Sequence, residues 1–406
     1  MFSILFRAFD FDNIAEHTCP SNLHVAVRKG FQFHRVVQDE SHLFIKGGAS
    51  AKLDAANLIQ STFRWGVTAT PITSSIAGLG PQMSFIQGGK STTQGVDLRA
   101  AMGSGTKSQE DFNRLVDRLG KVLIRHTKSQ RINGSEALSL PPSTTSTVML
   151  TMSQDEDRLF NRIHVSYGTF RKHVSSGVHA FSAEKCFGYP MGAVLRRMSH
   201  NDNRPNLFEL ATFKNGKNKY CYSPEHLTKI VALRKDLQDL RQNEPKLKAV
   251  VFTQFLEVHS ACVRGLKADG YDVFEFTGSS DSVKRDAAIR NFQREGTDRP
   301  TVFVITLRSG NVGITLTAAS RVYLLEPCLD PAVEVQAAGR IHRLGQDKPC
   351  HVVKFAFKNS YEENVLKLHK EILAGRMELV NGFVAHDAMK ILAKGIYGAG
   401  VYEDDY

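Results

Sequence analysis

The chain has 406 residues, 42% of them hydrophobic and 23% charged, with a formal net charge of +11. That length can bury a large core and suggests about two to three domains. No apolar run approaches the roughly 18–20 residues of a membrane span, and Arg7, Asp10 and Asp12 interrupt the apolar start MFSILFRAFDFD, which argues against a signal peptide.

Six cysteines (Cys19, Cys186, Cys221, Cys262, Cys328 and Cys350) stand far apart with no C-x-x-C pair. That spacing argues against a zinc finger, a RING or a disulfide scaffold, and for a reducing compartment. The positive charge is compatible with a polyanionic partner, most simply nucleic acid.

In chain order, Val36-Val37 reads as a buried strand ending at Asp39-Glu40. Carboxylates at the C-terminal end of a parallel strand sit where α/β folds bind ligands. Asp39 could hold Mg²⁺ through its water shell and Glu40 could orient or deprotonate an attacking water; the same tetrad, Asp39 to His42, would also serve as plain surface charge. A second strand-like run from Phe63 ends in Thr68-Ala69-Thr70-Pro71, where hydroxyls suit a relay and equally suit a turn.

Residues Gly78 to Gly105 read as loop. Within them Gly89-Lys90-Ser91 imitates a phosphate-binding loop, but Ser84 stands where the first glycine is needed. A helix is expected from Glu110, with Phe112, Leu115, Val116, Leu119 and Leu123 facing the core. Leu140-Pro141-Pro142 and the Ser/Thr run after it read as a linker. Ser153 to Glu156 forms a capping box, and the chain from there to about Leu240 reads as helical, basic and irregular.

The second half alternates regularly. Strands are expected at Lys248–Phe255, Tyr271–Phe276, Thr301–Leu307, Arg321–Glu326 and His351–Phe357. Helices are expected to Ala268, over Asp281–Phe292, after Asp330-Pro331, and from Ser360 to about Ala374. Such alternation means βαβ units and a parallel sheet covered on both faces.

The helix after Pro331 leads into QAAGRIHRLGQ, Gln336 to Gln346. Arg340 and Arg343, three apart, would share one helical face. Paired guanidiniums are what a transferring phosphoryl group needs, and one such arginine contributes roughly 10³–10⁵ in rate. Solvated arginines on an amphipathic helix are the alternative.

Asp39-Glu40-Ser41-His42, Thr68-Ala69-Thr70-Pro71, Phe252-Thr253-Gln254-Phe255, Phe276-Thr277-Gly278-Ser279, Ser309 to Ala319 and the closing R-I-H-R-L-G-Q string occur in order. Together they resemble the helicase-like ATPases of the Swi/Snf kind, within helicase superfamily II. The segment Ile124 to Met152 looks like the branch of RING-bearing DNA-repair remodellers. The resemblance implies an α/β fold of two RecA-like lobes, each a parallel sheet flanked by helices, with ATP and Mg²⁺ between them. It also implies translocation on double-stranded DNA, with nucleosomes among the substrates, in a nuclear protein serving chromatin or DNA repair.

Carried over by residue, Asp39 and Glu40 match the magnesium and water-activating pair. Arg340 and Arg343 match the arginines of the second lobe, and Gln336 the γ-phosphate glutamine. Gly310 and Gly313 match the motif where backbone approaches nucleotide or DNA, and Thr253, Gln254 and Thr315 belong to DNA-contacting motifs. The family usually has glycine where Asn311 stands, asparagine where Thr315 stands, and tryptophan and asparagine within the run here held by Cys328 to Pro331. The family's G-x-G-K-T loop lies well over a hundred residues before the acidic pair, whereas 38 residues precede Asp39 here. The expectation is therefore an incomplete first lobe over residues 1–140, a linker and helical insertion over 141–245, a C-terminal lobe over 246–375 and a tail over 376–406. A clipped gene model, a second chain completing the first lobe, and a catalytically inactive DNA-binding or assembly module each account for the missing loop.

Overall fold

The structure is a computed structural model. It describes residues 32–41, 56–68, 71, 79–88, 116–117, 119–127, 130–136, 138–165, 208–212, 218–278, 282–294, 299–310, 314–374, 379–380 and 383–384. The chain divides into two compact units, Met1–His126 with Glu378–Gly382, and Thr127–Met377 with Phe383–Tyr406.

In the first unit β1 (Phe33–Asp39) and β2 (Ser61–Val67) pair in parallel, with Val36 opposite Arg64 and Asp39 opposite Val67. Helix α1 (Leu79–Ile86) lies within the stretch expected as loop. Its Gly80 and Pro81 hid it, yet proline is tolerated in a first helical turn. Leu79, Met83 and Phe85 are buried, and the Arg64 guanidinium lies 5.3 Å from the centre of the Phe85 ring. On the other face of the ribbon Phe63, Trp65 and Val67 are each about half exposed. The helix expected from Glu110 appears only at its end, as residues 116–117 and 119–122, because Phe112 and Leu115 lie outside the described residues. Val116 and Leu123 are exposed rather than in a core, and no described residue covers them.

The second unit is built on a six-stranded, all-parallel sheet. Its strands are β3 (Ser143–Leu150), β6 (Lys248–Thr253), β7 (Asp272–Phe276), β8 (Thr301–Thr306), β9 (Arg321–Leu324) and β10 (Cys350–Phe357), in the order β3-β10-β9-β6-β8-β7. β3 is the Ser/Thr run expected as linker. Threonine and valine suit a half-exposed edge strand, and β3 pairs with β10 from Ser143–Cys350 to Leu150–Phe357. The region expected as helical and irregular contains α2 (Gln154–Val165), a hairpin of β4 (Phe208–Thr212) and β5 (Asn218–Tyr222), and α3 (Thr228–Asn243). The capping box forms: Ser153 N–H donates to Glu156 Oε2 at 2.9 Å and Glu156 N–H to Ser153 Oγ at 3.2 Å. Glu156 also accepts the Thr228 N–H at 3.1 Å, so one carboxylate serves the N-termini of α2 and α3.

The central strands read as continuous apolar runs because both sheet faces are covered. Ala249 and Val251 point to a core with Ile230, Leu233 and Leu237 of α3 and Ala261, Cys262 and Leu266 of α4 (Leu256–Ala268). Val250 and Phe252 point to the other core, with Phe292 of α5 (Ser282–Gln293) and Ala337 of α6 (Pro331–Ala338). Each fully buried Phe or Leu is worth about 1.5–3 kcal/mol. After β10, Ser360 Oγ accepts the Glu362 N–H and starts α7 (Tyr361–Leu373).

Candidate functional site

In the first unit Asp39 closes β1 at its C-terminal end, exposed, and its Oδ1 accepts the Glu40 N–H at 2.9 Å. Glu40 has φ +50°, a left-handed conformation that a side chain adopts at a cost and that turns the strand sharply. Ser41 is buried and donates to Gln82 Oε1 at 2.8 Å, while Gln82 Nε2 donates to the Pro71 carbonyl at 2.7 Å. A single glutamine of α1 therefore ties the acidic corner to the Thr68–Pro71 corner. Sequence reasoning missed it, because it lies in the stretch read as loop. His42, Ala69 and Thr70 lie outside the described residues.

In the second unit Thr253, Gln254 and Gly310 lie at or just beyond the C-terminal ends of β6 and β8, the edge where open α/β sheets gather ligands, whereas the Thr315 segment and the arginine turn pack where β9 begins. Thr253 is fully buried and its hydroxyl donates to Glu326 Oε1 at 2.9 Å. Gln254 N–H donates to Glu326 Oε2 at 3.0 Å and Gln254 Nε2 to the Pro327 carbonyl at 3.1 Å. The Thr253 hydroxyl is thus committed inside the protein. Burial raises the Glu326 carboxyl to about 7, against the nearby Lys229 charge and the two donors, which lower it. After β8 one helical turn, Leu307–Gly310, carries Gly310, and Thr306 and Ser309 share a hydroxyl hydrogen bond of 2.6 Å. Asn311 and Gly313 lie outside the described residues.

Asp330 caps α6 by accepting the Ala332 N–H at 2.8 Å, with Pro331 in the first turn. The helix ends at Ala338, so Arg340 and Arg343 stand on the turn beyond it and not on a shared helical face. Arg340 N–H and Ile341 N–H make tight bonds to the carbonyls of Ala337 and Ala338, at 3.1 and 3.2 Å. The Arg340 carbonyl is taken by Leu316 N–H at 2.9 Å, and Arg343 Nη1 donates to the Ile314 carbonyl at 3.4 Å. Arg340 is buried; Arg343, Gln336 and Thr315 are half-buried. The arginine turn and the Thr315 segment are therefore one construction. Gln346 fastens it: Nε2 donates to Ala319 and Ile341 carbonyls at 2.8 and 3.1 Å, while Oε1 accepts the N–H groups of Asp347 and Lys348 at 3.1 and 3.0 Å.

Residues 16–241 match the SNF2-related domain, more than half of the chain, and residues 228–345 match the helicase conserved C-terminal domain. The chain belongs to the SNF2-related family. This SNF2-related chain is 25% identical to Helicase-like transcription factor of Mus musculus and 26% identical to that of Homo sapiens, over 84% of the chain and 43% of each relative. It is 35% identical to DNA repair protein RAD5 of Cryptococcus neoformans over 40% of the chain and 13% of that protein. It thus spans less than half the length of these relatives. The C-terminal part of the Fun30 ATPase domain overlays it with a TM-score of 0.47 at 18% identity, covering 64% of this chain and 97% of that one. No helix among the described residues is long and apolar enough to cross a membrane.

Proposed function

We propose that the chain is the working part of an ATP-dependent translocase on double-stranded DNA, in which Asp39, Glu40, Arg340 and Arg343 are the groups that act on the nucleotide. The observation that carries this reading is the arginine turn. Arg340 and Arg343 stand on the turn after α6, the Arg340 backbone carbonyl taken by Leu316 N–H and the Arg343 guanidinium donating to the Ile314 carbonyl, in a chain whose acidic motif closes a parallel strand. In this role Asp39 holds a magnesium ion through water, Glu40 orients the attacking water, Gln336 reaches the γ-phosphate network, and Gly310 and Gly313 let backbone approach the ligand. Gln254 and Thr315 contact DNA, whereas Thr253 holds the corner through Glu326.

Exposed Asp39 at a strand end fits a magnesium ion bound through its water shell. When bound, ATP supplies the phosphoryl group whose transfer drives the step. The triphosphate itself fits incompletely, because the 406 residues contain no G-x-G-K-T loop to cradle it. The protein acts in the nucleus, on chromatin or damaged DNA, with nucleosomes as a substrate.

The missing loop also favours a second reading, a DNA-binding or assembly module without turnover. Titrating two duplexes of unrelated sequence across a salt series, with ATP turnover measured alongside, separates the two. Both readings expect binding that falls with salt and ignores sequence. DNA-stimulated turnover that is lost in Glu40→Gln decides for the motor, and binding without turnover for the module. No duplex binding at low salt overturns both.

A further inference from the structure

A short hairpin precedes β3. Arg131–Ile132 and Ser135–Glu136 pair antiparallel with Ile132 opposite Ser135, so Asn133 and Gly134 make the whole turn. Their φ values are +52° and +83°, the left-handed pair that a two-residue turn of this kind requires. Every residue from Arg131 to Ser135 is exposed, and a Cβ built on Gly134 would meet nothing within 4 Å. The closing hydrogen bond of such a turn comes from the residue after the glycine, so the ladder does not depend on the Gly134 N–H.

These conditions favour attack of a backbone nitrogen on the preceding side-chain amide. Gly134 has no side chain to keep its nitrogen from Asn133 Cγ, and water reaches both. The closed turn restrains that approach, because it holds the Asn133 backbone in one conformation. Each strand is two residues long, however, and so small a hairpin opens at little cost. Asn359 supplies an internal contrast. It is exposed with φ +51°, yet Ser360 after it is buried, its hydroxyl donating to the Phe357 carbonyl at 2.8 Å and accepting the Glu362 N–H at 3.2 Å. The Asn359 N–H itself donates to Glu363 Oε2 at 2.7 Å. The same backbone conformation is thus locked to the start of α7, and the residue that follows carries a side chain.

We propose that Asn133 is a site of spontaneous covalent modification, deamidation through a cyclic succinimide, with water as the co-reactant. The Gly134 amide nitrogen loses its proton to hydroxide and bonds to Asn133 Cγ. The Cγ–Nδ2 bond breaks, and ammonia leaves with a proton taken from water. Water then opens the ring at either carbonyl, giving aspartate or isoaspartate, and nothing is oxidised or reduced. Isoaspartate places an extra methylene in the main chain and leaves a free carboxylate, so the turn becomes too long for the pairing of Ile132 with Ser135. The change needs neither nucleotide nor DNA and is independent of the proposed function.

The test is incubation of the whole chain at neutral pH and body temperature, followed over time by peptide mass spectrometry that separates aspartate from isoaspartate. The Asn133 peptide should gain the mass of an amide-to-acid exchange, with isoaspartate exceeding aspartate, at least about tenfold faster than the Asn359 peptide. Gly134→Ala should slow the conversion several-fold, even though alanine at this positive φ strains and loosens the turn. Circular dichroism melts confirm that the variant folds; should it fail to fold, the comparison of Asn133 with Asn359 inside the wild-type chain decides. Asn133 that stays intact, or that reacts no faster than Asn359, would overturn the proposal. Conversion to aspartate alone, or at a rate that Gly134→Ala leaves unchanged, would mean direct hydrolysis by water and reject attack by the Gly134 nitrogen.

Discussion

The Thr253 hydroxyl and the Glu326 carboxylate meet at 2.9 Å inside the second unit, joining the end of β6 to the end of β9. The other Glu326 oxygen takes the Gln254 N–H, and the pair stands before α4, whose N-cap residue Phe255 offers no side-chain acceptor. A buried carboxyl group placed there supplies the acceptor oxygens that the local sequence lacks.

Burial raises this carboxyl from the usual carboxylate range to about 7. Between the unfolded value, near 4.5, and about 7 the folded chain keeps a proton that the unfolded chain releases. The stability this contributes is complete below the unfolded value and is lost as pH rises through the folded one. Each pH unit of the displacement is worth about 1.4 kcal/mol. In thermal melts from pH 5 to 8, the advantage of wild type over Glu326→Gln should therefore shrink as pH rises. A difference that is flat or grows would mean the carboxylate is ionised throughout.

Lys229 Nζ lies 2.7 and 2.6 Å from the two oxygens of Glu362, with both side chains buried. Lys229→Met strands a buried carboxylate and should cost about 3–5 kcal/mol in urea denaturation. Adding Glu362→Gln should recover most of that loss. If the two single costs simply add, the pair is not coupled.

Gln346 makes four hydrogen bonds that hold the arginine turn in shape. Gln346→Ala should lose about 2–4 kcal/mol. A stability within error of wild type would show that the turn is held by other contacts.

Gln38 is buried on β1, and both its amide oxygen and its amide nitrogen lack hydrogen bonds among the described residues. Gln38→Leu should stabilise the chain by about 1–3 kcal/mol, because burying an unpaired amide costs what an apolar side chain does not. A loss in the denaturation midpoint would reveal an amide partner.

The five central and far-edge strands of the second unit were legible because a strand covered on both faces is a continuous apolar run, as in Val302 to Ile305. β3 was not legible, since an edge strand is half solvated and its Ser/Thr run after Pro141-Pro142 has the composition of a linker. The acidic pair and the arginine turn stood out by motif, but the helix boundary did not. Gly339 ends α6, and the Arg340 carbonyl is claimed from 24 residues upstream, by Leu316 N–H. Long-range pairings such as Lys229 with Glu362, Thr253 with Glu326 and Ser41 with Gln82 leave no local signature, since each partner looks like an ordinary polar residue in its own stretch.

The central claim of the proposed function is that Glu40 and Arg340 serve one ATP-hydrolysis cycle. Steady-state ATP turnover of wild type, Glu40→Gln and Arg340→Gln, each with and without duplex DNA, tests this most directly. The expected result is DNA-stimulated turnover in wild type that is lost in both variants. Turnover that either variant keeps at the wild-type level would contradict it.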